Sequence, residues 1–149
     1  MNNVVIENAR IFIRNFSGEA DKFNKEGSRY FCVILPTETA TAMSEQGWNV
    51  RWLDGRDDDI RTPYIQVAVG FKFYPPKIVL ISSSGRTSIT EDTVSMLDWA
   101  ELEKVDIIIR PREYSVSGRS GIKAYLKTMY ATLVEDELDI KYAKSDVPF

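Results

Sequence analysis

The sequence predicts a small, mostly β domain whose strands wrap into a closed or nearly closed antiparallel barrel. Three observations carry this. Apolar residues recur at every second position in several stretches, the mark of half-buried strands. Val105 to Val116 and Ile122 to Val134 flank the turn sequence Ser117-Gly118-Arg119-Ser120, which makes them one long hairpin. Six or seven such strands accompany only two short helix signals, and closure is the way such a chain removes exposed strand edges.

The elements follow in order. After Val4-Val5-Ile6 the chain alternates, with Ala9, Ile11 and Ile13 on one parity and Arg10, Phe12, Arg14 and Phe16 on the other. Ser17 to Ser28, bounded by glycines and carrying Lys22 and Lys25, reads as a long mobile hairpin loop. Arg29 to Leu35 is rich in β-formers. Thr37 is a plausible N-cap for a helix running to about Gln46 and stopping at Gly47. Trp48 to Leu53 returns to extended structure, and Asp54 to Arg61 is a charged loop.

Tyr64 to Phe73 alternates with Ile65, Val67, Val69, Phe71 and Phe73 on one face, until Pro75-Pro76 breaks it. Lys77 to Ile81 is a short strand, Ser82 to Ser88 a turn, and Thr90 caps a short helix with Val94 and Leu97 inward. Gly118 suits the first central position of a type II′ turn in the last hairpin. Past Val134 the alternation stops. The expected organisation is therefore one domain, residues 1–134, and a flexible acidic tail, residues 135–149.

Charge sharpens this division. The chain of 149 residues has 19 Lys plus Arg against 22 Asp plus Glu. Residues 135–149 hold five of the acids and two of the bases, which leaves 17 of each in residues 1–134. A neutral body is not a coat of bulk positive charge, so affinity for a polyanion would have to come from local placement of bases.

The absences restrict chemistry. There is no histidine, the commonest general base and metal ligand, and the single cysteine, Cys32, lies in the apolar run Tyr30 to Leu35. Asp54-Gly55-Arg56-Asp57-Asp58-Asp59 lacks the spacing and the glutamate of a calcium loop. Ser82-Ser83-Ser84-Gly85-Arg86-Thr87 has no Gly-Lys-Ser/Thr ending of a Walker loop and reads as a plain turn. Trp48, Trp52 and Trp99 read as core or helix-packing residues. No enzyme, metal or cofactor is expected. Nor is a signal peptide or membrane helix, and a soluble protein of a reducing compartment follows.

One constellation stands out. Pairing Ser117 with Ser120 puts Tyr114 opposite Lys123, Arg112 opposite Tyr125 and Arg110 opposite Lys127, so one hairpin face collects four bases and two rings. Arg10, Phe12, Arg14 and Phe16 repeat the theme. Cations that track phosphates, interleaved with rings that accept unpaired bases, are what a single-strand binder needs. An outer face whose basic stems cover aromatic neighbours would look similar over one strand, but two such strands flanking a basic loop favour binding.

The last residues add a second signal. Ser145-Asp146-Val147-Pro148-Phe149 resembles the tip of bacterial single-stranded DNA-binding proteins, which ends Asp-Ile-Pro-Phe. That resemblance implies docking of replication and repair enzymes through Asp146, Val147, Pro148 and Phe149. Val147 stands where that family has Ile, and Lys141 and Lys144 dilute the acids. The body, with Asn8 to Gly18, Gly47-Trp48-Asn49-Val50 and Gly121 to Lys127, resembles the single-stranded DNA-binding proteins of phages and prophages. This implies an OB-fold elaborated with extra strands and a helix, binding single strands in a groove on its face.

The expected function is a non-catalytic single-stranded DNA-binding protein of phage replication and recombination, acting in the bacterial host cytoplasm. Arg10, Arg14, Arg110, Arg112, Lys123 and Lys127 would neutralise phosphates; Phe12, Phe16, Tyr114 and Tyr125 would stack bases; Lys22 and Lys25 would close over the strand. The tip would recruit a recombinase, helicase or polymerase factor, and the chain could act as a homodimer or higher homo-oligomer. The rival readings are a decoy that mimics the host tail without binding DNA, and a virion or assembly protein with a structural barrel.

Overall fold

The computed structural model describes residues 2–22, 24–53 and 61–143. The strands are β1 (Val4–Ile6), β2 (Ile11–Asn15), β3 (Arg29–Ile34), β4 (Val50–Leu53), β5 (Thr62–Val69), β6 (Lys77–Ser82), β7 (Gly85–Ile89), β8 (Leu102–Val116) and β9 (Arg119–Leu133). Two α-helices, α1 (Thr37–Gln46) and α2 (Glu137–Ala143), and a 3-10 helix, Val94–Asp98, complete the described residues.

Connectivity explains the architecture. The sheet runs β1-β8-β9-β5-β3-β2. Its two ends, β1 and β2, are separated in sequence by residues 7–10 alone, and within that link the Ala9 N–H still bonds the Val105 carbonyl. One bent N-terminal segment therefore pairs with β8 through its first half and with β3 through its second, so the strand order returns to the segment it starts from as a ring of five strand positions. The sheet is mixed rather than purely antiparallel, because β9 takes both β5 and β6 as parallel neighbours. Pairing with β5 ends at Ala68–Tyr125 and pairing with β6 begins at Lys77–Thr128. Residues 70–76 leave the ladder while β9 advances by only residues 126 and 127. Inside the ring sit Phe31, Val33, Ile65, Val67, Ile107, Ile109, Leu126 and Met129, all buried.

The hairpin forms as the sequence predicts, but two residues out of the predicted register. Val116 pairs with Arg119, so Tyr114 faces Gly121, Arg112 faces Lys123 and Arg110 faces Tyr125. Ser117 and Gly118 are the central turn residues with φ of +51° and +77°. Both positive values match type I′, not II′, and give the twist that long strands prefer. An even shift keeps every side chain on its expected face. Lys127 does not face Arg110. It occupies the bulge between Leu126 and Thr128, which oppose the consecutive residues Ile109 and Ile108.

The other differences have local causes. In β2 the register shifts between Phe12 and Asn15, with Ile13 at φ +48°. This bulge reverses the parity of Arg14 and Phe16, and Ile13 turns outward, 58% exposed. β5 ends at Val69, before the Pro75-Pro76 break, so Phe73 leaves the predicted inner face and is 75% exposed. Ser82 to Ser88 contains a strand, β7, invisible to apolar periodicity because Gly85-Arg86-Thr87-Ser88 are all exposed. Thr37 is the first residue of α1 rather than its cap; Pro36 precedes it and Gly47 ends the helix in the left-handed region. The 3-10 helix buries Val94 and Leu97 as expected, while Trp99 beyond it is 82% exposed.

Residues 16–22 and 24–28 are knit rather than loose. Asn24 Nδ2 donates to the carbonyls of Glu19 and Ser28, and the Gly27 N–H bonds the Gly18 carbonyl at 2.8 Å. The segment expected to be a flexible tail begins in α2. Asp136 caps it, accepting from the Leu138 and Asp139 N–H groups, and Asp139 reaches back to the Asp136 N–H. Glu135 also ties this end to the β6–β7 turn through the Ser83 N–H at 2.6 Å.

Candidate nucleic-acid interface

The outward sides of five strands line up in one row. Arg110 pairs with Tyr125, Tyr125 with Ala68, Ala68 with Tyr30 and Tyr30 with Asn15. At about 4.8 Å per strand this row is roughly 19 Å across. Tyr125 stands near its basic end. Three cations surround its ring: Arg110 at 5.1 Å from the centroid, Lys123 at 5.3 Å and Arg112 at 5.6 Å. Arg112 Nη1 also donates to the Tyr125 hydroxyl at 3.4 Å. Glu113, between Arg112 and Tyr114, falls on the opposite side of the strand by alternation. Among the described residues no carboxylate pairs with Arg110, Arg112 or Lys123.

The loop between β5 and β6 builds the wall. Tyr74 lies 5.0 Å from the Arg110 guanidinium, and Lys72 lies 5.5 Å from the ring of Phe73. Gly70, Lys72, Phe73 and Tyr74 line an open groove of about 590 Å³ together with Arg110, Arg112 and Tyr125. The loop stands here because β5 and β6 share one edge of β9, and the surplus residues 70–76 bulge from it with Lys72, Phe73 and Tyr74 exposed. Phe73 and Tyr74 are 75% and 70% exposed. Exposed rings grouped along a groove are the kind of surface that marks an interaction site.

The groove suits an unpaired nucleotide. An exposed cation over a ring is worth about 0.5–1 kcal/mol. A stacked base is worth about 1–3 kcal/mol, more than the cation–ring contact it would replace. Nothing here resembles a catalytic pair. Cys32 is buried, and desolvation raises its thiol pKa above the ordinary value while the nearby Arg51 charge opposes the rise.

The family model described as "Putative phage ssDNA-binding domain" matches residues 1–149. The chain belongs to that family. Single-stranded DNA binding is the family's activity, and the chain is a binding protein rather than an enzyme. No curated protein matches the sequence. The fold is similar to that of the single-stranded DNA-binding protein from bacteriophage Enc34 in complex with ssDNA. That match has a TM-score of 0.58 at 11% identity and covers 90% of this chain and 88% of that one. A C-terminal truncation of the Enc34 protein matches with a TM-score of 0.56 at 10% identity, over 90% of this chain and 87% of that one.

The structure separates the residues singled out in the sequence. Arg110, Arg112, Lys123 and Tyr125 come together as one cluster. Phe12 stays on the outer face, half-buried and edge-on to Tyr64 with centroids 5.4 Å apart. Arg10, Lys22, Lys25 and Lys127 are exposed. Tyr114 lies across Gly121 and its hydroxyl donates to Asn49 Oδ1 at 3.1 Å. Only glycine permits this, since a Cβ at position 121 would sit 2.7 Å from the Tyr114 hydroxyl. Tyr114 thus braces the hairpin.

Two residues leave the site. Phe16 is fully buried and stacks on Phe31 at 5.1 Å, so it cannot receive a base. The Arg14 guanidinium donates to the carbonyls of Leu97 and Ala100 at 3.1 and 2.6 Å, at the end of the 3-10 helix. Asp54 to Asp59 and the motif Asp146, Val147, Pro148 and Phe149 lie outside the described residues. Sequence reasoning missed Lys72, Phe73 and Tyr74. Their signal was present: the base-aromatic run stands directly before two prolines, where a strand cannot continue.

Proposed function

We propose that single-stranded DNA lies across the outer face of the sheet with Tyr125 at the centre of its path. Bases stack on Tyr125 and on Phe73 and Tyr74, while Arg110, Arg112 and Lys123 neutralise phosphates. Arg10, Lys127, Lys22 and Lys25 contribute at the margins, Phe12 with Tyr64 extends the apolar floor, and Tyr30 continues the row toward β2. The observation that carries this reading is the single ring of Tyr125 under three cations that, among the described residues, pair with no carboxylate. A neutral body with local positive charge explains how a chain of net charge −3 engages a polyanion.

In this reading the protein coats single strands during phage replication and recombination in the host cytoplasm. The motif Asp146-Val147-Pro148-Phe149 recruits partner enzymes; what supports this is its resemblance to the tip of bacterial single-stranded DNA-binding proteins. Fluorescence anisotropy with labelled oligo-dT at two salt concentrations tests the binding. Submicromolar affinity that weakens steeply with salt is expected, and absence of binding at low salt would sink the reading. Deleting residues 146–149 should leave that affinity equal or higher while abolishing pull-down of host factors; unchanged pull-down removes the recruitment role.

A further inference from the structure

The outer face of β9 carries a second ring under cations, away from the groove. Tyr130 lies five residues beyond Tyr125, and the bulge at Lys127 keeps both rings on the same face. The pairing runs from Arg110–Tyr125 to Ile108–Thr128 and Asp106–Tyr130, which absorbs the extra residue before Thr128. The bulge leaves the two positions four ladder steps apart, from Arg110 to Asp106 on the partner strand, roughly 13 Å at about 3.3 Å per residue. Lys127, exposed, lies between them.

Neighbouring strands supply the cations. Lys77 opens β6 beside Thr128, and its ammonium lies 5.5 Å from the Tyr130 ring centroid. Arg86 comes from β7, opposite Ile81. The Tyr130 phenol titrates below the ordinary tyrosine range. The largest cause is its hydrogen bond with Lys77, followed by the Lys77 charge; desolvation opposes, and the Arg86 charge adds a further lowering. Lys77 and Ile81 share a parity on β6, so Arg86, paired with Ile81, faces the same side of the sheet as Lys77 and Tyr130. Lys77 and Arg86 are exposed. The one carboxylate paired across from this ring, Asp106, is already engaged, accepting from the Asn8 N–H at 2.8 Å and lying 3.8 Å from Lys104.

We propose that Tyr130, Lys77 and Arg86 form a second nucleotide station, on which a strand held at Tyr125 continues along β9 over Lys127. This rests on the reading that the Tyr125 face holds single-stranded DNA. The base stacks on Tyr130 as Lys77 swings from the ring to a phosphate, and Arg86 holds the next phosphate. The β6–β7 hairpin then has a binding role: it lengthens the site beyond the ring of five strand positions.

The test is the dependence of affinity on oligonucleotide length. Oligo-dT from about 4 to about 16 nucleotides, the span of OB-fold site sizes, is titrated against the wild type, Lys77→Ala/Arg86→Ala and Tyr130→Leu. The wild type should gain affinity as the oligonucleotide outgrows the first station. The double variant should lose that gain and lower the log–log salt slope for long oligonucleotides by about 1.4, two phosphates at about 0.7 each, with short ones unaffected. Both basic side chains are exposed, so the double variant carries the test even where Tyr130→Leu folds poorly. Wild-type affinity and slope retained by the double variant at every length would overturn the second station. A wild type that binds no oligonucleotide overturns the Tyr125 reading beneath it, and the two failures are distinct.

Discussion

Residues 10–16 and the β8–β9 hairpin carry the same written pattern, bases alternating with rings, and the fold uses them in opposite ways. In the hairpin the alternation survives and delivers Arg110, Arg112, Lys123 and Tyr125 to one surface. In β2 a single residue, Ile13 at φ +48°, breaks the alternation, sending Phe16 into the core and Arg14 onto backbone carbonyls. Period-two patterning predicts a face only as long as no bulge intervenes. A β-branched residue in the left-handed region is held there by its surroundings. Here those are the Arg14 bonds on one side and the Asp98 carboxylate, accepting from the Phe16 and Ser17 N–H groups at 2.6 and 3.1 Å, on the other.

Substitutions separate the two regions, beginning with the largest effect. Phe16→Ala should cost about 3–5 kcal/mol of stability in urea unfolding, because a fully buried ring leaves a cavity. The folded fraction should still bind DNA. Tyr125→Ala should do the reverse, weakening oligo-dT binding by about 1–3 kcal/mol in anisotropy titrations while the urea midpoint stays in place. Arg14→Ala should cost about 1–3 kcal/mol of stability by removing a charged donor from two carbonyls, with no change in the salt slope of binding. Were Arg14→Ala to lower that slope, the contrast between the regions would collapse.

A smaller effect concerns Cys32. Burial holds its thiol protonated beyond the ordinary range, so a thiol reagent at mildly alkaline pH should react slowly with the native protein and rapidly after denaturation. Fast native labelling would show that the outer face over β3 opens.

What was legible follows the same division. The long hairpin, the α1 stop at Gly47 and the inward Val94 and Leu97 were readable because each rests on local chemistry: alternation, a left-handed glycine, a helical spacing. The two-residue register error was harmless because the side-chain period is two. The bulges at Ile13 and Lys127 were not readable, since nothing in an Ile or a Lys announces a ladder irregularity that tertiary pairing imposes. The wall of the groove was legible as a base-aromatic run before two prolines, but its place was not. Lys72, Phe73 and Tyr74 become a site only because β5 and β6 both pair with β9, a relation between segments about fifty residues apart in the chain. β7 escaped because both of its faces are wet.

The central claim is that the cations around Tyr125 carry the electrostatic part of single-strand binding, and one measurement addresses it directly. The salt dependence of oligo-dT affinity is compared between the wild type and Arg110→Ala/Arg112→Ala/Lys123→Ala. At about 0.7 per phosphate released, the log–log slope should fall by about 2 in the triple variant with its fold intact. A slope equal to that of the wild type would contradict the account and place the DNA elsewhere.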